Sequence, residues 1–570
     1  MPVAVHDVTD EISNIDVELV AVSAADPQLV LHRNISREKS VLVKVPTPTR
    51  VHRGTSTATC PVVEKSSYEC LAYAEINSPI LIDFEPGDPT DPRNFTTTRK
   101  YVMTAVLIAL LLNSTFASSV TSGASNAIRA HFGSSTIVTT LLISLFMVGF
   151  VIGPLFWAPM SEHVGRRYIV LSSFTLYFLF TVACALAPSM ATLIGFRFLQ
   201  GLCATCPIAV SGGVFADIYS DPIKRGRAVA LFCGSTIMGS LSGPFIAGYI
   251  STSYLGWRWV FWITAIWAGF TLACTYLVLP ETFRPLIIMR RAQNLRRGGQ
   301  NVVAAYELQD KDLKSVVLHV LLRPINMLFK EMIVAAICVY VGFTYGLLYM
   351  FFQAYPVIFQ QERGMSPGKG GLMLLPIGLG AALTTVAHYA YDIRIQRLKK
   401  IPGKVVSMEL ERLPVTMVAS WFLPVSLFWL AWTSYNKIPF AVTMLGGIFF
   451  GLGFTSLFIG FLNYATDCYK IYAASAHGIM SVTRSMIGAS LPLVAPASKL
   501  AVPPSFSDGP RDYSINRRHI VYEKLGVRWA TTIWALISLA MAPIPILFFK
   551  YGHILRQKST FASALASQDL

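Results

Sequence analysis

The sequence predicts an all-α membrane protein in which twelve transmembrane helices form two pseudo-symmetric six-helix bundles. Three observations carry that prediction. Of the 570 residues, 53% are hydrophobic and only 14% charged, with a mean hydropathy of +0.52; a soluble chain carries about a quarter charged residues. Apolar windows of the ~20 residues that cross a ~30 Å hydrocarbon core recur twelve times after residue 100. A polar stretch from Glu281 to Lys330 then divides them six and six.

The first six spans are expected from Tyr101 to Gly123, Ile137 to Pro159, Tyr168 to Pro188, Ala191 to Ala216, Arg227 to Ser251 and Trp257 to Leu279. The second six run from Met332 to Pro356, Gly368 to Tyr391, Pro414 to Trp432, Pro439 to Asn463, Ile471 to Pro496 and Gly526 to Tyr551. The chain therefore divides into a polar tail (1–98), a first bundle (99–280), a central loop (281–331), a second bundle (332–552) and a C-terminal tail (553–570). The first tail is rich in Ser, Thr and Val and lacks a basic-then-apolar opening, so it reads as a largely disordered cytosolic segment rather than a secretory signal. One stretch breaks the pattern. Residues 498–521 are polar, basic and Pro-containing where a short outer loop belongs, and read as an insertion or as translated intron sequence.

A formal charge of +16 raises the question of nucleic acid, but the cations fall in alternate loops. Arg166, Arg167, Lys224, Arg225, Arg227 and the clusters from Arg284 to Arg323 and Arg394 to Arg412 share one side; before Pro496 the other carries little more than Arg129, Arg363 and Lys437. That asymmetry is an orientation signal and places both termini in the cytosol, so the charge implies a lipid bilayer and no nucleic-acid partner. The nine cysteines are scattered, and the pair Cys203 and Cys206 lies in an apolar helix, where small packing residues are commoner than a metal or redox pair. No metal site is expected. Neither a GxSxG nor a P-loop GxxxxGK[ST] is present, which argues against an enzyme and against ATP as the energy source.

Two facing bundles are the architecture of alternating access. A weak internal echo supports the repeat: FADIY with Asp217 ends the fourth span, and NYATDCY with Asp467 follows the tenth. Between spans two and three lies GPLFWAPMSEHVGRR, in which a turn at Gly165 can bring Arg166 and Arg167 to an acid such as Glu162; a positive loop with no gating role is the plainer alternative. The fourth span carries RFLQG with Arg197, Gln200 and Gly201. The fifth carries GSTIMGSLSGPFIAGYI, where Gly239, Gly243 and Gly248 with Pro244 permit close packing and a bend.

On these motifs the chain, from Asp88 to Ser559, resembles the major facilitator superfamily, and within it the fungal twelve-span drug:proton antiporters. DPTDPRNFTTTRK is similar to the family's DPxNW segment, with Phe95 for Trp; the inner-loop motif has Glu162 for Asp and Ala158 for Gly; GxxxGPxxxG is similar to the antiporter motif, with Ala247 departing from its GG pair. LPETFRP from Leu279, the run Arg290 to Arg297 and the segment around Arg484 match as well. The resemblance implies gating and coupling by Glu162, Gly165, Arg166, Arg167, Arg197, Asp217 and Asp467. It also implies an antiporter bend at Gly239, Gly243, Pro244 and Gly248, a proton gradient as driving force with no cofactor, and a small-molecule substrate.

A charge inside a span must face a cavity or a partner. The spans offer Arg197 and Arg484 but no acid near mid-membrane, and the first span offers only Asn113. A substrate cavity containing Asn113, Arg197, Tyr345, Gln353 and Arg484 is expected, favouring an anionic or neutral amphipathic molecule over a cation; Tyr349, Phe352 and Tyr355 either line it or pack. Proton carriers to consider are Glu162, Asp217, Asp467 and His388, although a lone helical histidine is more often structural. Efflux by proton antiport is the first reading and uptake of an organic acid or polyamine the second. A non-transporting membrane sensor is a third, disfavoured by tails too polar for a soluble domain. The protein is expected to act as a monomer in the plasma membrane, with the vacuolar membrane as alternative.

Overall fold

In hydrocarbon only a helix satisfies its own backbone, so long apolar runs must fold as helices, and prolines within them dictate where they break. The computed structural model describes residues 80–308, 313–361, 363–401, 407–435, 437–469, 473–497, 526–557 and 559. The tail up to residue 79, the stretch 498–521 and most of 553–570 lie outside the described residues. The first six spans are Thr97–Phe132, Thr136–His163, Arg166–Ala185, Met190–Ile218, Pro222–Thr252 and Arg258–Val278. The second six are Met332–Tyr355, Pro367–Lys399, Pro414–Thr433, Phe440–Tyr469, Ala473–Ala497 and the pair Gly526–Met541 and Ile544–Gln557.

Four spans expected as single helices are broken. The fourth divides into Met190–Ala204 and Cys206–Ile218, the eighth into Pro367–Leu372 and Leu375–Lys399, and the ninth into Pro414–Ala419 and Phe422–Thr433. Together with the gap in the twelfth, each break falls just before a proline, namely Pro207, Pro376, Pro424 and Pro545. A proline removes one backbone donor and collides with the carbonyl a turn earlier.

Packing repeats between the halves. In each half the first span lies against the fifth, the second against the fourth and the third against the sixth. Across the halves the second span meets the eleventh and the fifth meets the eighth, two contacts that exchange under the same pseudo-two-fold relation. The fifth span shows how such contacts are made. Gly243 packs so closely on the first span that a Cβ there would lie 3.0 Å from Phe116 O and Val120 N. Pro244 leaves the Ser240 carbonyl without its usual donor, and the Ser119 hydroxyl fills it at 2.6 Å. The carbonyl that the proline leaves free and the helix contact are thus one feature.

The polar regions flanking the first bundle also fold. Strand β1 (Ile80–Ile82), in what the sequence reads as tail, pairs in parallel with strand β2 (Val302–Ala304) in the central loop. The same loop carries helices Arg284–Arg297 and Leu313–Lys330. The first span begins at Thr97 with Thr96 as N-cap and runs to Phe132, nine residues past the expected end.

Replacing Gly243 by Leu should lower the melting temperature of the detergent-extracted protein, consistent with an overpacking cost of about 1–3 kcal/mol. Gly195→Ala, where nothing lies within 4 Å, should leave it unchanged or raise it, since alanine is favoured in a helix by up to about 1 kcal/mol.

Candidate functional site

At the end of the molecule bearing the basic loops, the loop between spans two and three turns at Gly165, whose φ of +112° suits only glycine. A Cβ there would also press on the Glu281 carboxyl and on Leu286. Glu281, from LPETFRP, accepts from the backbone N–H groups of Arg166 (2.9 Å) and Arg167 (3.3 Å), and from those of Thr282 and Phe283. A carboxylate thereby caps the N-terminus of the third span, where exposed N–H groups and the helix dipole favour negative charge.

The two arginines then part. Arg166 is buried, donates to Ser161 Oγ at 2.6 Å, and sits 3.5 Å from Asp217 and 3.8 Å from the half-exposed Glu162. Arg167 points elsewhere, donating to Tyr276 O and lying over the Tyr276 ring. Asp217 is therefore the acid nearest the Arg166 guanidinium, and of the two arginine side chains Arg166 alone pairs with an acid among the described residues. The second half repeats the arrangement: Arg412, after the eighth span, binds Asp467 at 2.6 Å.

The basic end is further tied by a clamp that no local motif announces. Arg284 reaches both oxygens of buried Asp91 at 3.1 and 3.2 Å, and Arg291 pairs with Asp88. Hydrogen bonds from the Thr90 hydroxyl and N–H, with Arg291 beside them, hold the Asp88 carboxyl below its ordinary value. The Tyr306 hydroxyl donates to Glu162 O, joining the central loop to the last turn of the second span.

Inside the first bundle Arg197 is fully buried, and an unpaired arginine at a span's centre costs about 2.5–3.5 kcal/mol on insertion scales. The structure offsets this with neighbours. Its Nε donates to Leu142 O at 3.1 Å, its Nη1 to Gln200 Oε1 at 2.8 Å, and its guanidinium lies over Phe146. Gln200 donates to Thr181 Oγ1, Thr181 to Tyr177 O, and the Tyr177 hydroxyl to Asn113 Oδ1 at 2.6 Å. Four spans are joined by this relay, which engages the Asn113 carbonyl oxygen and most of Arg197, leaving Asn113 Nδ2 and Arg197 Nη2 unpartnered.

The second bundle treats its arginine differently. Arg484 is buried, but among the described residues its hydrogen bonding is a single 3.3 Å contact from Nη2 to Ser481 Oγ, and its Nε has no partner. Its guanidinium lies between the Tyr345 and Phe458 rings, 4.9 and 5.0 Å from their centroids. Tyr345 packs on Tyr349, whose hydroxyl crosses the interface between the halves to Ser118 at 2.8 Å. Gln353 Nε2 is buried and unpartnered one turn further along. His388 meets Ser456.

At the end opposite the basic loops the halves close. A Cβ on Gly248 would lie 2.6 Å from Pro367 O, and one on Gly371 would lie 2.6 Å from Phe245 Cα. Gly248 therefore seals one half against the other, whereas Gly239 and Gly243 bind the first span.

The family profile described as Major Facilitator Superfamily matches residues 106–492. The chain belongs to the major facilitator superfamily. This transporter is 34% identical over 515 residues to "MFS-type transporter traF" of Penicillium crustosum, covering 90% of this chain and 99% of the relative. It is 35% identical over 494 residues to "Efflux pump FUB11" of Gibberella moniliformis (86% and 79%), and 36% identical over 492 residues to the "Citrinin biosynthesis cluster MFS transporter mrr1" of Monascus ruber (85% and 92%). Among solved structures, a proton:xylose symporter aligns with a TM-score of 0.57 at 15% identity, covering 80% of this chain and 96% of that one. That likeness concerns the fold. The protein is an integral multi-pass membrane transporter, not an enzyme.

Glu281→Ala should lower the melting temperature of the extracted transporter more than Glu162→Ala does. The first removes an N-terminal cap, worth about 0.5–2 kcal/mol; the second removes one long, exposed ion pair, worth about 0–1 kcal/mol.

Proposed function

We propose that this transporter exports a small organic molecule, anionic or neutral and of the secondary-metabolite or weak-acid kind, in exchange for protons. It works as a monomer by alternating access, with its basic loops and both termini in the cytosol and the plasma membrane as its site. The observation that carries the reading is the close packing around Pro244. The glycines around it hold the first span and close the fifth span on the eighth at the end away from the basic loops, and the motif they form resembles that of antiporters. The printed names of the relatives, two of them an efflux pump and a biosynthetic-cluster transporter, support export over uptake. The buried cations Arg197 and Arg484, with no acid of comparable depth beside them among the described residues, support the exclusion of cationic cargo.

In this reading Arg166 with Asp217 and Arg412 with Asp467 are the gate pairs of the two halves, since both lie at the basic end and hold neighbouring elements together. The purified protein, reconstituted in vesicles, should move labelled weak organic acids against their gradient when a pH difference is imposed. Collapsing that difference with a protonophore should abolish accumulation. Accumulation that ignores the pH difference, or equal transport of polycations and carboxylates, would refute the reading.

A further inference from the structure

We propose that Arg484 is the anchor for a planar aromatic acid, held by its carboxylate or phenolate while its ring lies along an aromatic wall of the second bundle. This rests on the reading above, that a small molecule crosses between the halves, and it names the class of molecule. Arg484 is the twelfth residue of the 25-residue span Ala473–Ala497, and Tyr345 the fourteenth of the 24 in Met332–Tyr355. The cation thus sits at mid-membrane, where desolvation makes a counter-charge most valuable.

The two buried arginines are not equivalent. Arg197 has a carbonyl, an amide oxygen and an aromatic face within its own bundle. Arg484 has one long hydrogen bond to a serine and an orphaned Nε, with no carboxylate paired to it among the described residues. A buried guanidinium left with most of its donors free is a fitted receptor for an anion, and its planar fork matches a carboxylate in two-point fashion. Arg484 lies over Tyr345, Tyr345 packs on Tyr349, and the Tyr349 hydroxyl crosses to Ser118 of the first bundle, so the cation stands beside the aromatic contacts that reach the interface between the halves.

The surroundings set the rest of the ligand. Phe458 and Phe454 are stacked at 6.0 Å with planes 5° apart, Phe454 continues to Phe450 at 5.8 Å, and Tyr345 lies 6.3 Å from Phe454. Parallel rings beside a flat cation favour a flat aromatic body, because offset stacking rewards planarity where a puckered ring of equal volume gains only burial. The polar face of the first span is opposite, with Ser118 already bonded to Tyr349 and the hydroxyls of Thr121 and Ser122 buried without partners. These suit the oxygen substituents of a phenolic or keto-bearing ring.

The test is equilibrium binding to the purified full-length chain, using 2-naphthoate as probe against methyl 2-naphthoate, which lacks the charge, and decalin-2-carboxylate, which lacks the planarity. 2-Naphthoate should bind at least about tenfold more tightly than either, a difference of about 1.4 kcal/mol. Arg484→Gln should erase the preference for acid over ester, Arg197→Gln should not, and Phe458→Leu should erase the preference for naphthoate over decalin carboxylate. Equal affinities for the three ligands in the unaltered protein, a comparison that needs no variant to fold, would overturn the proposal, as would a preference retained in Arg484→Gln. The vesicle assay separates this from the export reading. Gradient-driven transport of other compounds without naphthoate binding leaves export standing and removes the site; selective naphthoate binding without gradient-driven transport of any compound does the reverse.

Discussion

Water is missing from the hydrocarbon core, and almost every internal feature of this transporter answers that deficit. A polar atom on a span has to find its partner within protein. Hence the serines and threonines that donate back to their own helix carbonyls, such as Ser114 to Leu110 O and Thr264 to Val260 O. Hence too the Ser119 hydroxyl placed on the carbonyl that Pro244 cannot serve. The same requirement draws five side chains from the first, third and fourth spans, and a carbonyl of the second, into one relay around Arg197. Where the requirement is left unmet, as at Arg484, the omission is informative.

The two halves share one plan of packing but spend their polar residues differently. The first bundle is knitted by hydrogen bonds and by glycines that let backbones touch, so its arginine is a structural member with one spare donor. The second is built on aromatic contacts running through Phe351, Phe450, Phe454 and Phe458. A pseudo-two-fold relation between halves therefore does not imply two equivalent faces toward the cargo. It gives a hydrogen-bonded, polar partner on one side and an aromatic, apolar one on the other.

Much of this was legible in the sequence, because hydropathy and charge asymmetry respond directly to the bilayer. The number and order of spans, the close glycine packing around Pro244, the turn at Gly165 and the correspondence of Asp217 with Asp467 all rest on local composition or short motifs. What was not legible depends on residues far apart in the chain. Glu281 lies 115 positions from the helix it caps, and nothing in LPETFRP alone says that its carboxylate belongs to Arg166 and Arg167. Nor does the motif say that Arg166 and Arg167 diverge, since that depends on Tyr276 and Asp217 arriving from other spans. The helix breaks were half legible: the prolines were visible, but proline also sits unbroken inside the second span at Pro154 and Pro159. Cation depth could be counted from the sequence; which cation had been satisfied could not.

The clamp at the basic end bears on how the chain is made. Asp91 and Asp88 leave the ribosome 193 and 203 residues before the arginines that hold them. At about 5–20 residues per second of synthesis, the segment before the first span waits roughly 10–40 s for its partners, while all six spans of the first bundle are inserted. Strand β1 likewise has no β2 to pair with until that bundle is complete. Closure of the clasp thus marks the end of first-bundle assembly, and a nascent chain halted before Arg284 would present two uncompensated aspartates and an open strand edge to the chaperones that meet it.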